Sequence, residues 1–167
     1  DSRSWLGRRR QELFCGFALA LTKSPGHVAR YVACGMDPER VIEVGELKAD
    51  IPIRADQVAA AVPVRAALVR DRPGVLLLAS AVEDEVPDLL GVVRLLGERL
   101  SPPPAVVWVP RDAQGFDTLA ARLAAEGLDP CRRSQVLDDR LRLRAPLTGL
   151  MLGDSLGEMD FYYQLAD

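Results

Sequence analysis

The residues whose types and spacing could do chemistry stand in three short stretches, each directly after an apolar run: Ser80 to Glu85 (SAVEDE), Pro110 to Gly115 (PRDAQG) and Gly153 to Glu158 (GDSLGE). In the last, Ser155 and Glu158 have the S-x-x-E spacing of a capping box, in which hydroxyl and carboxylate satisfy free amides of a helix's first turn. Gly157 sits poorly in that reading, because glycine is a weak helix former; it suits a backbone that something approaches closely. Free amides at the positive end of a helix also receive anions, so a phosphate on that turn, with Glu158 accepting from sugar hydroxyls, is the alternative. Arg111 emerges straight after a strand-like run, where a guanidinium grips a phosphate bidentately or pairs with Asp112 or Asp117. Around Ser80, the acids Glu83, Asp84 and Glu85 read as complements to a helix dipole. Lys48, closing GELK, is either solvated or a cation directed at a binding cleft.

Other chemistries lack their parts. His27 is the single histidine, placed after Ser24 and Pro25 as a surface or cap residue, and no zinc set can be assembled without a second histidine or grouped thiols. No G-x-S-x-G elbow accompanies it, so a serine-hydrolase triad is not supported. No G-x-G-x-x-G follows a strand, which argues against a dinucleotide domain. Cys15, Cys34 and Cys131 form no CxxC pair and read as buried thiols of a reducing compartment. With 21 Lys and Arg against 24 Asp and Glu, the chain lacks the basic excess of a general nucleic-acid binder. Its basic clusters, Arg8 to Arg10 and Arg132 with Arg133, read as solvated faces, contact with anionic lipid or phosphate being the minority reading. No run approaches the ~18 apolar residues of a membrane span, and no secretory signal is present.

The elements that must position these residues alternate in type. Residues 4–14 read as a short amphipathic helix, 17–24 as a strand, 25–35 as a helix ending at Gly35, and 40–45 as a second short strand ending at Gly45. Residues 49–56, with Pro52, are the candidate linker. Residues 57–70 read as a helix broken or kinked at Pro63. The unalternating runs 75–80 and 105–109 read as strands buried on both faces of a parallel sheet, with helices over 84–100 and 116–126. Residues 141–145 (LRLRA) alternate like an edge strand, and 147–152 form the last strand. The pattern predicts an α/β domain with a mainly parallel sheet, whose ligands bind outside the carboxyl ends of the strands.

Five segments in this order, VGELKADIP, RAALVRDRPGVLLLAS, VVWVPRD with GFD, LDPCRRS and MLGDSLGEMDFYYQLAD, resemble the bacterial 3-deoxy-D-manno-octulosonic acid (Kdo) transferases of lipopolysaccharide synthesis. The closing segment is similar to that family's L-G-D-[ST]-M-G-E-[ML] signature. The resemblance implies a central fragment of a GT-B glycosyltransferase with a Rossmann-like, mainly parallel sheet flanked by helices. Residues 1–48 would end the acceptor domain, 49–56 would link, and 57–167 would begin the nucleotide-binding domain. It implies transfer of Kdo from CMP-Kdo to a lipid A precursor, with inversion, without an active-site metal or other cofactor, at the cytoplasmic face of the inner membrane. Arg8 to Arg10 would face its anionic headgroups, and no nucleic acid takes part. By position, the CMP contacts would be Pro110, Arg111, Leu156, Gly157 and Glu158, with Lys48, Ser80 and Ser155 as further candidates. The catalytic base is expected outside these residues, so the chain alone should not turn over. The sequence departs from the family pattern at Val82 and Asp112, where the family has histidines, at Leu156 for methionine, and at Glu46 for asparagine. The rival readings are a diverged, non-catalytic nucleotide-binding or interaction module, and a flavodoxin-like or Rossmann-like domain for another ligand.

Overall fold

The computed structural model describes residues 5–167, the side chains of residues 5–8, 10 and 47 excepted. The chain divides into two compact units, Asp1–Ile53 and Arg54–Asp167. In the first, α1 (Trp5–Cys15), β1 (Ala20–Thr22), α2 (Pro25–Ala33) and β2 (Val41–Glu43) follow in order, with a short 3-10 turn at Leu47–Asp50. β1 and β2 pair in parallel, Leu21 opposite Ile42, so both strands are much shorter than their apolar runs. Phe14 packs edge-on against Phe17 and Tyr31, which holds α1 to α2.

The second unit contains α3 (Ala55–Leu68), β3 (Val75–Ala81), α4 (Val86–Arg99), β4 (Ala105–Pro110), α5 (Phe116–Ala125), β5 (Cys131–Arg132), α6 (Arg133–Val136), β6 (Leu150–Leu152) and α7 (Met159–Leu165). Its four strands are all parallel in the order β3-β4-β6-β5. Every residue of β4 is buried, because helices cover both faces of the sheet. Ala105, Val107 and Val109 meet Ala61, Val64 and Leu68 of α3 and Phe161, Tyr162 and Leu165 of α7. Val106 and Trp108 point the other way, to Leu90 of α4 and Leu119 and Leu123 of α5. The unbroken apolar character of 105–109 follows from that two-sided burial.

Three expectations are corrected here. α3 runs through Pro63 without a break. Pro63 and Ala59, whose carbonyl loses its partner, both lie on the exposed side, where water takes the vacated bond. LRLRA is not an edge strand: Leu141 is buried while Leu143 is 42% exposed, so the two do not share a solvent-and-core alternation. That segment makes one antiparallel bridge, Leu137 to Leu143, and the sheet's edges are β3 and β5. The cause is Asp138, whose carboxylate collects the amides of Arg140 and Arg142 at 2.9 and 2.8 Å and the Arg142 Nε at 2.8 Å, bending the chain. Such side-chain bonds compete with strand pairing. Third, the cysteines are not buried: Cys15 is exposed and Cys34 and Cys131 are half-buried, all three as free thiols.

The Arg142 amide, then its guanidinium, and then the Arg140 amide hold the Asp138 carboxyl at about 2, below its ordinary 3.8, against the opposing effect of burial. A carboxyl lowered by folding stabilises the fold above its unfolded value and loses that contribution as pH falls through the folded one. Thermal unfolding of Asp138→Asn should therefore occur well below wild type at pH 7, and the gap should narrow between pH ~4 and ~2.

Candidate functional site

The connections leaving the carboxyl ends of β4 and β6 diverge. β4 leads into α5, which packs on the Trp108 face, whereas β6 leads into α7, which packs on the Val107 face. The two strands are neighbours, Trp108 opposite Leu152, so adjacent loops part to opposite sides of the sheet. Ligands of open α/β sheets settle in the crevice that such a switch point creates. The loops bordering it are Pro110–Gly115 and Gly153–Glu158.

Pro110 ends β4 and is buried, whereas Arg111 is exposed. Its amide donates to the Ala81 carbonyl at 2.9 Å, which anchors the backbone beside the end of β3. Neither bland partner of the guanidinium materialises. Asp117 is taken by Arg132 at 2.6 Å, and Arg111 makes no ion pair among the described residues. Ser80 is exposed and left-handed (φ 54°) at the β3 bulge between Ala79 and Ala81. Glu85 carries the true capping contact of this end, accepting the Val82 amide at 3.0 Å.

The turn after β6 is built from side chains gathered across two strands. The Gly153 amide donates to the Trp108 carbonyl at 2.8 Å. A methyl group on Gly153 would meet Tyr162 Cζ and Val109 Cγ2 at 2.8 Å, so the close approach of β6 to α7 requires glycine there. Asp154 accepts the Ser134 amide at 2.8 Å and its hydroxyl at 2.5 Å. Arg133 forks onto Glu158, Nε to Oε2 at 2.8 Å and Nη2 to Oε1 at 2.5 Å. The Ser155 hydroxyl meets Glu158 Oε2 at 2.5 Å and the Tyr162 hydroxyl at 2.6 Å. Burial pushes the Tyr162 hydroxyl well above its ordinary range, partly offset by its Ser155 contact.

The expected capping box is therefore not formed. α7 starts at Met159, Glu158 occupies the position before it, and no side chain caps the helix; Ser155 and Glu158 bond each other rather than backbone amides. Arg133 drew Glu158 away from that role. Leu156 is 67% exposed and Gly157 is exposed beside it, and the amides of Leu156, Gly157 and Glu158 donate to no backbone carbonyl among the described residues. Gly157 is left-handed (φ +77°) with nothing within 4 Å of an added methyl; its torsion, rather than a crowding neighbour, requires glycine. Its carbonyl accepts Gln57 Nε2 at 2.8 Å, and Asp160 accepts the Arg54 amide at 2.8 Å, so the start of α3 buttresses the turn.

The structure thus places Pro110, Arg111, Ser155, Leu156, Gly157 and Glu158 at the ends of adjacent strands. Ser80 lies one strand further along, and Lys48 lies in the other unit, exposed on the 3-10 turn. A cavity of about 350 Å³ opens between the loops after β3 and β4, lined in part by Val82, Glu83, Trp108, Pro110 and Arg122. Among the candidates it takes in Pro110 and not Arg111. Sequence patterns did not single out Arg133, expected on a solvated face and found only 8% exposed, nor Ser134, Asp154 and Gln57. A usable signal was R-R-S following one strand while D-S-x-x-E follows another, an acid-base match across the sheet. His27 is half-buried with its Nδ1 2.7 Å from Ser24 Oγ. Among the described residues no three His, Cys, Asp or Glu gather to hold a metal ion, and no helix is long and apolar enough to cross a membrane. The side chains of Arg8 and Arg10 lie outside the described residues.

A parallel sheet covered by helices on both faces, with polar turns at a switch point, defines a Rossmann-like α/β domain, as the sequence pattern implied. The chain is 32% identical over 164 residues, 98% of its length, to the 3-deoxy-D-manno-octulosonic acid transferase of Bordetella pertussis, so it is homologous to a Kdo transferase, as its motifs imply. It spans 36% of that relative's length. The chain matches no family model.

Gly157→Ala should cost about 1 kcal/mol, the strain of a left-handed alanine, whereas Gly153→Ala should cost about 1–3 kcal/mol through overpacking. Denaturant unfolding with circular dichroism measures both.

Proposed function

We propose that this chain supplies part of the nucleotide pocket of a glycosyltransferase that moves Kdo from CMP-Kdo to a lipid A precursor, at the cytoplasmic face of the inner membrane. The observation that carries the proposal is that Arg111, with no ion pair among the described residues, and the open Leu156–Glu158 turn follow neighbouring strands at one switch point, in a chain homologous to a Kdo transferase along nearly its whole length.

When the bond between the anomeric carbon and the phosphate oxygen breaks, the electron pair leaves with CMP and the phosphate gains charge. Arg111 and the amides of Leu156 and Gly157, which have no other partner among the described residues, are donors placed to receive that charge, which would stabilise the leaving group electrostatically. Consecutive amides converging in a turn with a left-handed residue form an anion-holding concavity. Glu158, held by its fork with Arg133, accepts a ribose hydroxyl. The acceptor hydroxyl gives its proton to a base contributed by other residues of the enzyme, and no metal or other cofactor is assigned. Inversion follows if the acceptor attacks opposite the departing phosphate.

Val82 and Asp112, where the family pattern has histidines, favour a second reading in which CMP is bound without turnover. A CMP titration followed by amide NMR tests the shared step, with shifts expected at Gly157 and Arg111. Arg111→Ala should weaken CMP binding by about 1.5–3 kcal/mol, the loss of a charge-assisted bond, as read by calorimetry. Unchanged affinity removes Arg111 from the phosphate site.

A further inference from the structure

Resting on the nucleotide reading above, we propose that Arg133 is a positioning residue that turns Glu158 into a single-hydroxyl acceptor and so sets discrimination among sugars of the bound nucleotide. An ionised carboxylate only accepts, through about four lone-pair sites. Three of these sites are filled. Arg133 Nη2 occupies one on Oε1, and Arg133 Nε and the Ser155 hydroxyl occupy both on Oε2. One site remains, on Oε1. Because Ser155 must give its proton to Glu158, its own lone pair receives the Tyr162 hydroxyl, and the chain of bonds has one direction, Tyr162 to Ser155 to Glu158. Burial of Tyr162 keeps its proton in place for that donation.

The fork is held rigidly from behind. Arg133 follows Arg132, which is opposite Leu152 in the sheet, and the next residue, Ser134, locks onto Asp154 with both amide and hydroxyl. Both partners of the ion pair are largely out of water, 9% and 16% exposed at the side chain. A planar guanidinium fixes both carboxylate oxygens at once, which an ammonium cannot do. The free lone pair therefore points in one direction, and one sugar hydroxyl can meet it.

The test compares binding of CMP, 2′-deoxy-CMP and 3′-deoxy-CMP to the full chain by calorimetry. In wild type, one of the two deoxynucleotides should bind about tenfold more weakly than CMP, and the other within about threefold, since one charge-assisted bond is lost in one case only. Arg133→Lys should bring the first ratio to within about threefold of unity by letting the carboxylate swing. A purely structural role would weaken all three nucleotides alike and leave the ratios standing, which would overturn the inference. Equal penalties for both deoxynucleotides in wild type would also overturn it. Should Arg133→Lys fail to fold, Ser155→Ala serves: it frees a second acceptor site on Oε2, so the previously tolerated deoxynucleotide should become penalised, and unchanged ratios would again overturn the inference. A wild-type chain that takes up none of the three overturns the nucleotide reading and this one with it, whereas wild-type discrimination that survives Arg133→Lys overturns this one alone.

Discussion

Arg133 and Glu158 have both surrendered most of their hydration to meet each other beside the sheet, and the arrangement around them is what makes that tolerable. Removing an ion from water costs several kcal/mol, recovered only with near-ideal geometry and extra hydrogen bonds. Here the geometry is a two-pronged fork, and Ser155 supplies the extra bond. Leaving either charge alone would cost about 3–5 kcal/mol. The two-residue strand β5 must consequently stay in register with β6, and the turn after β6 must stay folded toward it. Asp154 with Ser134, and Gln57 with the Gly157 carbonyl, tie the same turn down at its other corners. Leu156 and Gly157 are left projecting from a fixed base.

The contrast with the loop after β4 gives the site its character. Arg111 has a pinned backbone and an unengaged side chain, while Asp117 is taken by Arg132. One border of the crevice thus carries an unengaged positive charge and the other a braced acceptor with open amides. That division suits a ligand with a phosphate at one end and hydroxyls at the other. The topology makes it possible: only where neighbouring strands send their helices to opposite faces is there room between loops for a ligand to lie.

Much of this was legible in the chain. The unalternating run at 105–109 announced a strand covered on both sides, and the alternation of strand and helix announced the parallel sheet. Boundaries fared worse, because apolar runs such as 17–24 and 147–152 continue past the point where pairing stops. LRLRA looked like a strand because spacing alone cannot reveal that Asp138 would capture two amides and bend the segment. Pro63 looked like a breaker because its exposure, which makes the lost bond harmless, is a tertiary fact. The site divided in the same way. Arg111 and the Gly157 turn could be located, since each follows a strand run directly. Arg133 could not be told from a solvated arginine, because its partner is 25 positions away along the chain and becomes a neighbour only through strand pairing.

Trp108 carries a consequence of another kind. Its indole nitrogen is sealed from water and has no hydrogen-bond partner among the described residues, an uncompensated polar group costing about 1–3 kcal/mol. The ring lines the cavity under the loops that follow β3 and β4, and its carbonyl holds Gly153 at the start of the opposing turn. An indole so shielded emits at short wavelength, and its colour and brightness answer to any polar group that comes near. The protein therefore carries an optical gauge beneath the loops that follow β3 and β4, readable without a label once the second tryptophan, Trp5, is replaced.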